Sequence, residues 1–260
     1  MKSKLSEIKC FLLDMDGTVH LSGKAFDGAA EAIERMRKQG RVLFITNSVW
    51  FSRESQAEKL RAMGIPADAE DVFTAGVATA EFLKKHHPNK TVYVLGTEVL
   101  KNELVNGGIK IISPPVSPDL VVVSFDDKLD FKKLTKTCDF IRAGIPFLVT
   151  HPDFNYPIAG GYLPDAGANL ALIYACTSKM PFAICGKPHE TMGEIIRSVT
   201  GCNPAQVAMF GDRLMTDMVF AENNGFVSVL VLSGEATRED LEKSDVKVDV
   251  VLRSIAEWDF

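Results

Sequence analysis

The sequence lacks several features that would by themselves assign it to a class of proteins, such as disulfide-rich, membrane or nucleic-acid-binding proteins. It contains no Cys-x-x-Cys pair, and its five cysteines are odd in number and mostly stand inside apolar runs. It contains no apolar run of about 20 residues and no sustained run of lysine and arginine. We therefore expect reduced core cysteines rather than disulfides or a thiolate metal site, and no membrane-spanning helix. With a formal net charge of −5, we expect no nucleic-acid partner.

What is present is the composition of a soluble globular protein. The chain has 260 residues, of which 46% are hydrophobic and 24% charged, so it can bury a substantial core. The opening Met1-Lys2-Ser3-Lys4 is not followed by the long apolar segment of a signal peptide, which predicts a cytoplasmic location. A small molecule is the substrate or ligand that this charge and composition favour.

Short apolar runs alternate with segments of helical period. The N-terminal third has Cys10–Leu13 as a strand, Ala29–Gln39 as a helix, Val42–Thr46 as a strand and Ser55–Met63 as a helix. Such continuous apolar strands predict a parallel sheet covered by helices on both faces. The same rhythm continues with strands at Thr91–Leu95, Ile109–Ile112, Leu120–Val123, Phe147–Thr150, Phe182–Cys185, Val207–Phe210, Val227–Leu232 and Val248–Leu252, and with helices at Val99–Val105 and Lys132–Ala143. So many strands favour two sheets over one, and the polar stretch His151–Gly167 is expected to be irregular.

Four apolar runs end at residues suited to phosphate chemistry. The runs lead to Asp14, to Thr46-Asn47, to Gly186-Lys187-Pro188 and to Gly211-Asp212. If the four runs are strands of one parallel sheet, their ends emerge at one edge. That edge is where open α/β sheets bind ligands, near the point at which the strand order reverses.

The acidic residues at these ends predict a metal site. Asp14, Asp16, Asp212 and Asp217 would repel one another in a pocket unless a cation lay among them. Carboxylate and carbonyl oxygens without a histidine or cysteine cluster favour Mg²⁺. Lys187 and Thr46 then supply the charge and hydroxyl that hold a phosphoryl group. Taken singly, each acidic residue can instead be a helix cap or a turn residue.

The ordered motifs Asp14-x-Asp16-Gly17-Thr18, Thr46-Asn47, Gly186-Lys187-Pro188 and Gly211-Asp212-x-x-x-Thr216-Asp217 resemble those of the haloacid dehalogenase (HAD) superfamily. The resemblance spans nearly the whole chain. The Thr-Asn pair, the Gly-Lys-Pro triplet and the large insert between them resemble the NagD-type phosphatases. This resemblance implies a Rossmann-like doubly wound core of residues 1–87 and 179–260, with a smaller α/β cap inserted at 88–178. It also implies a possible homodimer formed through the cap.

The resemblance also implies roles for the motif residues. Asp14 would attack phosphorus and form a phosphoaspartyl intermediate, and Asp16 would act as general acid and then general base. The side chains of Asp14 and Asp212 and the main-chain carbonyl of Asp16 would bind Mg²⁺, while Asp217 would support the site from its edge. Thr46 and Lys187 would hold the phosphoryl oxygens, helped by backbone N–H groups near Met15, Asp16 and Asn47.

The cap residues are expected to choose the substrate. Thr150-His151-Pro152-Asp153 resembles the family's Thr-Asn-x-Asp substrate loop, with His151 in place of the usual asparagine, and Asp165 stands where glycine is common. These positions make His151, Asp153 and Asp165 candidates for substrate binding. His151 can equally be a surface histidine, and Asp165 can be a helix cap. Trp50 and Phe51 are expected to be packing residues rather than a stacking platform.

The predicted function is Mg²⁺-dependent hydrolysis of a small phosphate monoester, such as a sugar phosphate or a nucleoside monophosphate. A phosphoryl-transfer mutase on the same scaffold is an alternative, as is a dehalogenase, although a dehalogenase has no leaving alcohol for Asp16 to protonate. A non-enzymatic phosphate-binding or phosphoaspartate module is a third possibility. Receiver domains of that kind are about half this length and need no large cap.

Overall fold

The computed structural model describes residues 5–158 and 160–259. Met1-Lys2-Ser3-Lys4, on which the cytoplasmic prediction depends in part, lies outside the described residues. The chain forms two compact units. The first contains the described residues of Met1–Thr46, Arg53–Phe73 and Lys187–Phe260, and the second contains those of Asn47–Ser52 and Thr74–Gly186. The predicted division into a core and a cap at residues 88–178 stays a prediction.

Strands and helices alternate along most of the described chain. The strands are β1 Cys10–Asp14, β2 His20–Leu21, β3 Lys24–Ala25, β4 Arg41–Thr46, β5 Val72–Thr74, β6 Thr91–Leu95, β7 Lys110–Ile111, β8 Leu120–Val123, β9 Phe147–Val149, β10 Asn155–Ile158, β11 Gly161–Pro164, β12 Ala183–Ile184, β13 Val207–Gly211, β14 Val227–Val231 and β15 Val250–Leu252. The α-helices are α1 Ala29–Gln39, α2 Arg53–Ala62, α3 Ala75–His86, α4 Glu98–Asn106, α5 Phe131–Arg142, α6 Ala166–Thr177, α7 Glu190–Thr200, α8 Val219–Asn224 and α9 Arg238–Lys243. Short 3-10 turns lie at Ala69–Asp71, Pro204–Gln206 and Ile255–Glu257, and a π-helical turn lies at Leu214–Met218.

The six-stranded sheet has the order β15-β14-β13-β1-β4-β5, and its pairings from β15 to β4 are parallel. Phe11, Leu12 and Leu13 of β1 are all fully buried, because the strand is covered on both faces. On one side of β1 the chain continues to β4 and β5, and on the other side lie β13, β14 and β15. The carboxyl end of β1 therefore lies where the strand order reverses, as in doubly wound folds.

The five-stranded sheet has the order β12-β9-β8-β6-β7 and is parallel throughout. Leu95, Val123 and Val149 are buried in its core. The α/β class with two parallel sheets is thus confirmed. Trp50 stacks on Phe125 with ring centroids 4.7 Å apart, which supports the packing role predicted for Trp50. Phe51 is exposed.

Two expectations about strands are wrong. The run before Lys187 does not join β1, β4 and β13, since its two strand residues, Ala183–Ile184, pair with β9 in the five-stranded sheet. The stretch His151–Gly167 is not irregular throughout, because β10 and β11 form an antiparallel hairpin within it. Ala159, in the same stretch, lies outside the described residues.

The cysteines are all free thiols. Cys10, Cys138 and Cys185 are buried, as predicted, whereas Cys176 is exposed and Cys202 lies at intermediate depth. Burial raises the pKa of Cys10 and of Cys185 to about 12. These two thiols are therefore poor nucleophiles in the folded protein.

Candidate active site

Asp14 and Asp16 differ sharply in exposure although one residue separates them. Asp14 is the last residue of β1 and its side chain is 13% exposed. Asp16 follows in the turn, with a side chain that is 63% exposed. A nearly buried carboxylate such as that of Asp14 suits attack on a desolvated electrophile. An exposed carboxyl group such as that of Asp16 can exchange protons with a leaving group and with water.

Lys187 joins two of the predicted carboxylates. Its Nζ atom lies 2.5 Å from Asp14 Oδ1 and 2.7 Å from Asp217 Oδ1, and its side chain is buried. Burial alone would lower the pKa of Lys187, but the two carboxylates outweigh it and hold that pKa above its usual range. Lys187 is therefore an ammonium ion fixed between Asp14 and Asp217.

Asp212 is held after β13 by a main-chain donor and a hydroxyl group. Its Oδ2 accepts the N–H of Glu235 at 2.8 Å, and its Oδ1 accepts the Thr18 hydroxyl at 3.4 Å. Gly17 has a φ of +88°, and a Cβ atom there would lie 2.2 Å from Asp212 Oδ2. A Cβ atom at Gly234 would lie 2.0 Å from the same oxygen. Both positions therefore require glycine if Asp212 is to keep its place.

The carboxylates form a site that fits a hard divalent cation. Asp14, Asp212 and Asp217 each offer one oxygen within 4.8 Å of the others. Burial, together with the neighbouring Asp217, raises the pKa of Asp212 to about 6. Burial raises the pKa of Asp14 more than Lys187 lowers it. The single ammonium group of Lys187 thus leaves the carboxylates short of positive charge, which is the chemistry that Mg²⁺ supplies.

The remaining residues predicted for this site divide between the two units. Thr46 ends β4 in the first unit and is buried. The Met15 side chain packs in the apolar core, so any contact of Met15 with a ligand must come from its main chain. Asn47 belongs to the second unit, where its Nδ2 donates to Asp153 Oδ2 at 3.1 Å.

His20 is a site residue that the sequence-based prediction missed. It is fully buried, and its Nδ1 lies 3.3 Å from Asp16 Oδ1. Burial lowers the pKa of His20, although Asp16 opposes the shift. A neutral imidazole therefore lies behind the exposed carboxyl group. The sequence shows only that His20 lies four residues after Asp16. The tight turn that brings the two side chains into contact appears only in the fold.

The second unit brings the three predicted cap residues together. His151 is buried, and its ring lies within 3.6 Å of both Asp153 and Asp165. His151 is therefore not a surface histidine. Asp165 does cap a helix, since its Oδ1 accepts the N–H of Ala166 at the start of α6 at 2.7 Å. The structure thus supports the helix-capping role predicted for Asp165. It also shows that the same side chain contacts His151.

Two family models match the chain. One, described as haloacid dehalogenase-like hydrolase, matches residues 11–110. The other, described as HAD-hydrolase-like, matches residues 184–258. Between them they contain Asp14, Asp16, Thr46, Lys187 and the Asp212-to-Asp217 motif.

Characterised relatives are similar along almost the whole chain. An acid sugar phosphatase of Staphylococcus epidermidis is 32% identical over 93% of this chain and 93% of its own. The crystal structure of a 4-nitrophenylphosphatase from Thermotoga maritima has 38% identity and a TM-score of 0.92, covering 98% of this chain and 97% of its own. NagD from Escherichia coli K-12 has 27% identity and a TM-score of 0.89, covering 97% and 98%. A glycerol phosphate phosphatase from Mycobacterium tuberculosis, in complex with magnesium, has 28% identity and a TM-score of 0.87, covering 96% and 75%.

The part of the chain that the structure describes contains no helix both long and apolar enough to cross a membrane. Asp14 and Thr46 are the last residues of β1 and β4, and Asp212 follows β13. The chain belongs to the haloacid dehalogenase-like hydrolases and, within them, to the NagD-type phosphatases, which makes it a phosphoric monoester hydrolase acting on a phosphorylated small molecule.

Proposed function

We propose that the protein hydrolyses a small phosphate monoester in two Mg²⁺-dependent steps through a phosphoaspartyl intermediate on Asp14. The placement of Asp14 carries this proposal. Its carboxylate is nearly buried, contacts the Lys187 ammonium group, and has carboxylate oxygens of Asp212 and Asp217 within 4.8 Å. A nucleophile at the end of a central strand beside a cationic group is what in-line attack on a phosphoryl group requires.

In the first step a carboxylate oxygen of Asp14 bonds to phosphorus while the bond from phosphorus to the alcohol oxygen breaks. Asp16 gives its proton to the departing oxygen. The exposure of the Asp16 side chain supports this role, since a proton donor to a leaving group must reach beyond the buried nucleophile.

In the second step a water molecule attacks the phosphorus of the phosphoaspartyl group and releases inorganic phosphate. Asp16, now ionised, takes the proton of that water and returns to its starting form. Asp14 leaves as a free carboxylate, so one water molecule is consumed in each cycle and no other reactant is needed.

The metal would be held by the side chains of Asp14 and Asp212 and by the main-chain carbonyl of Asp16, with Asp217 at the edge of the site. Bound Mg²⁺ supplies positive charge that offsets the repulsion among the carboxylates and stabilises the transferring phosphoryl group. The pairing of Asp217 with Lys187 supports the edge position. Lys187 and the Thr46 hydroxyl would bind phosphoryl oxygens, with N–H groups near Met15, Asp16 and Asn47.

The substrate is proposed to be a sugar phosphate, a nucleoside monophosphate or a similar metabolite. The acid sugar phosphatase and the glycerol phosphate phosphatase among the similar proteins support an alcohol that carries hydroxyl groups. The segment 88–178 is proposed as the cap that selects this alcohol, through His151, Asp153 and Asp165. The cytoplasmic location stays a prediction.

The test is phosphate release from p-nitrophenyl phosphate, with Mg²⁺ and with EDTA, by the wild type and by Asp14→Asn. We expect release with Mg²⁺, none with EDTA, and a loss of at least about a thousandfold in the variant, whose amide cannot form the intermediate. Asp139→Asn, an exposed change in the second unit, is the matched control. Undiminished turnover by Asp14→Asn would remove the proposed nucleophile.

Product analysis separates the alternatives. A mutase would convert a sugar phosphate into its isomer without releasing phosphate. A phosphoaspartate module would keep a stable phosphoryl group on Asp14 and show no turnover over hours. Either outcome would replace the hydrolase mechanism.

We also propose that two copies associate through the cap. Support comes from the hairpin of β10 and β11, which exposes Ile158 and Tyr162, and from the neighbouring Phe154, which is also exposed. Apolar side chains grouped in this way favour an interface. Light scattering of the wild type and of Tyr162→Glu tests it, with a dimer expected only for the wild type. A monomeric wild type at micromolar concentration would reject the dimer.

A further inference from the structure

A cavity lies in the second unit beside the edge strand β7. Its volume is about 960 Å³, and its walls come from β6, β7, the first turn of α4 and one side of α5. The strand β7 has only two residues, and α5 packs on the neighbouring strand β6, where the ring centroids of Tyr93 and Phe140 lie 5.2 Å apart. The described residues that line the cavity include none of those proposed above for catalysis, metal binding or substrate selection. The cavity therefore needs an explanation of its own.

Part of the cavity wall is apolar. Tyr93 of β6, Ile111 of β7 and Phe131 of α5 all line it. Phe131 is 87% exposed, whereas Phe140 of the same helix is buried in the core. An aromatic ring left in water gains hydrophobic free energy when a ligand covers it. Apolar cavities of about 300 to 1,000 Å³ are the usual sites for small organic molecules.

Most of the charged residues that line the cavity are lysines. Four lysines and two carboxylates line it, namely Lys101, Lys132, Lys133 and Lys136 with Glu98 and Asp139. Both carboxylates already have a cationic partner. Glu98 Oε1 accepts from Lys101 Nζ at 2.7 Å, and Asp139 Oδ1 accepts from Arg142 Nη1 at 3.4 Å. The carboxylates of the cavity therefore do not balance its remaining lysines.

Lys132 and Lys136 keep an unmatched positive charge. Among the described residues neither forms a salt bridge, and Lys136 Nζ lies 4.7 Å from the centroid of the Phe140 ring. The two lysines are four residues apart on one side of α5, where like charges repel. Lys132 also stands in the first turn of the helix, whose dipole disfavours a cation. Helix stability thus does not explain this pair, whereas an anion beside both ammonium groups would.

The apolar wall and the lysine pair together define a class of ligand. An inorganic anion would leave the wall that includes Tyr93 and Phe131 without a contact. A neutral apolar molecule would leave the two ammonium groups without a counter-charge. A planar organic anion satisfies both, because its ring packs on the aromatic side chains and its anionic group accepts from the lysines.

We propose that the cavity between α5 and β7 is a binding site for a small planar organic anion. Lys132 and Lys136 hold its anionic group, and Tyr93, Ile111 and Phe131 contact its ring. The site adds a ligand-binding function to the second unit and does not depend on the proposed hydrolysis of phosphate monoesters.

The charge preference is tested by calorimetric titration of the wild type with 2-naphthoate and with 2-naphthamide, which has the same ring system without the charge. We expect 2-naphthoate to bind at least about tenfold more tightly, as one charge-assisted hydrogen bond allows. Equal affinities would indicate an unspecific apolar surface and overturn the proposal. Competition by inorganic phosphate would place the probe in the candidate active site and also overturn it.

The lysine pair is tested by the double variant Lys132→Gln with Lys136→Gln. We expect the Kd for 2-naphthoate to rise at least about tenfold and that for 2-naphthamide to change by less than about twofold. The matched control is Lys38→Gln with Lys84→Gln, which removes the same charge at exposed positions outside the cavity. Equal losses in the two double variants would reveal a general effect of net charge and overturn the site.

The place of binding is tested by NMR of protein labelled with ¹³C at the isoleucine methyl groups. The Ile111 signal is assigned by its loss in Ile111→Val, and Ile33 in the core of the first unit is the control. We expect the Ile111 signal to shift with the Kd found by calorimetry and that of Ile33 to stay. An unmoved Ile111 signal overturns the site. Shifts of Ile111 that follow protein concentration without a probe overturn it in favour of an interface between two copies.

Discussion

The acidic clusters of the two units differ in how their charge is balanced. In the first unit, Asp14, Asp212 and Asp217 share the single ammonium group of Lys187. In the second unit, Asp153 and Asp165 flank one imidazole ring. With all groups charged, the first cluster keeps two unmatched negative charges and the second keeps one. The first cluster therefore needs a divalent cation from solution, whereas the second has half that deficit.

The difference matters because buried carboxylates are costly without a counter-charge. In the first unit, burial raises the pKa of Asp14 and of Asp212 despite the presence of Lys187. In the second unit, burial raises the pKa of Asp165, but His151 opposes the shift. The site of the first unit thus keeps a larger charge deficit than the His151 group of the second unit.

Removal of the Lys187 ammonium group from the first cluster has the largest of the expected effects. Lys187→Met leaves Asp14 and Asp217 without an ammonium group and the phosphoryl oxygens without a donor. We expect kcat on p-nitrophenyl phosphate to fall by at least about a hundredfold. Lys59→Met is the matched control, since its Nζ lies 3.9 Å from Asp16 Oδ1 but is exposed. We expect a loss of less than about threefold there, because exposed ion pairs contribute little.

Lys187→Arg distinguishes loss of charge from loss of fold. It keeps the positive charge but cannot place a compact ammonium group between the two carboxylates. Equal activity of Lys187→Met and the wild type would show that the two clusters do not differ in the way described.

We expect removal of the proposed Mg²⁺ to have an intermediate effect, on stability as well as on activity. The folded protein holds protons on Asp212 and Asp14 more tightly than the unfolded chain does. The free energy of unfolding of the metal-free protein should therefore fall as pH rises from the usual pKa of 3.8 toward the folded pKa of about 6 at Asp212. We expect a fall of about 1 to 2 kcal/mol between about pH 5 and about pH 7, measured by urea unfolding in EDTA.

Saturating Mg²⁺ should reduce this pH dependence, because the metal stabilises the ionised carboxylates. Asp212→Asn is the control, since it removes the titrating group. A metal-free protein that gains stability over this pH range, with Asp212→Asn behaving identically, would contradict the charge deficit.

Glycine substitutions act on the two clusters only indirectly, one in each unit. Gly17→Ala would bring a Cβ atom to 2.2 Å from Asp212 Oδ2, and Gly167→Ala would bring one to 2.1 Å from the Pro152 carbonyl oxygen. We expect each to lower stability by about 1 to 3 kcal/mol. Only Gly17→Ala should also weaken the affinity for Mg²⁺, measured by calorimetric titration.

Gly161→Ala serves as the control for this pair, because a Cβ atom there has no neighbour within 4 Å. Equal loss of Mg²⁺ affinity in Gly17→Ala and Gly167→Ala would mean that the metal site depends on both units alike.

Much of the fold follows from local sequence. The bounds of α1 and β8 match the predicted ranges, because each run has one clear period and ends at glycine, proline or polar residues. The segment of β5 and α3 was not predicted. Its residues from Val72 to Ala80 are almost all apolar or small, so neither period stands out. The one boundary signal there is Thr74, whose hydroxyl accepts the N–H of Val77 and caps α3.

The contacts in the site follow less directly from sequence than the elements do. The motifs predicted Asp14, Asp212 and Lys187 because each follows an apolar run. The pairing of Lys187 with Asp217 depends on the π-helical turn Leu214–Met218, which local propensity does not specify. The contact between His151 and Asp165 joins two segments 14 residues apart. The β10-β11 hairpin and the main-chain hydrogen bonds from Gly167 to Asp153 and from Asp165 to Phe154 bring them close.

The buried thiols allow the opening of each unit to be measured separately. Cys10 lies in β1 of the first unit and Cys185 follows β12 in the second, and both have a pKa near 12. An alkylating reagent therefore modifies either thiol only while the surrounding structure is open. Mass spectrometry of the two peptides after timed alkylation would measure the opening rate of each unit in one sample of the unmutated protein.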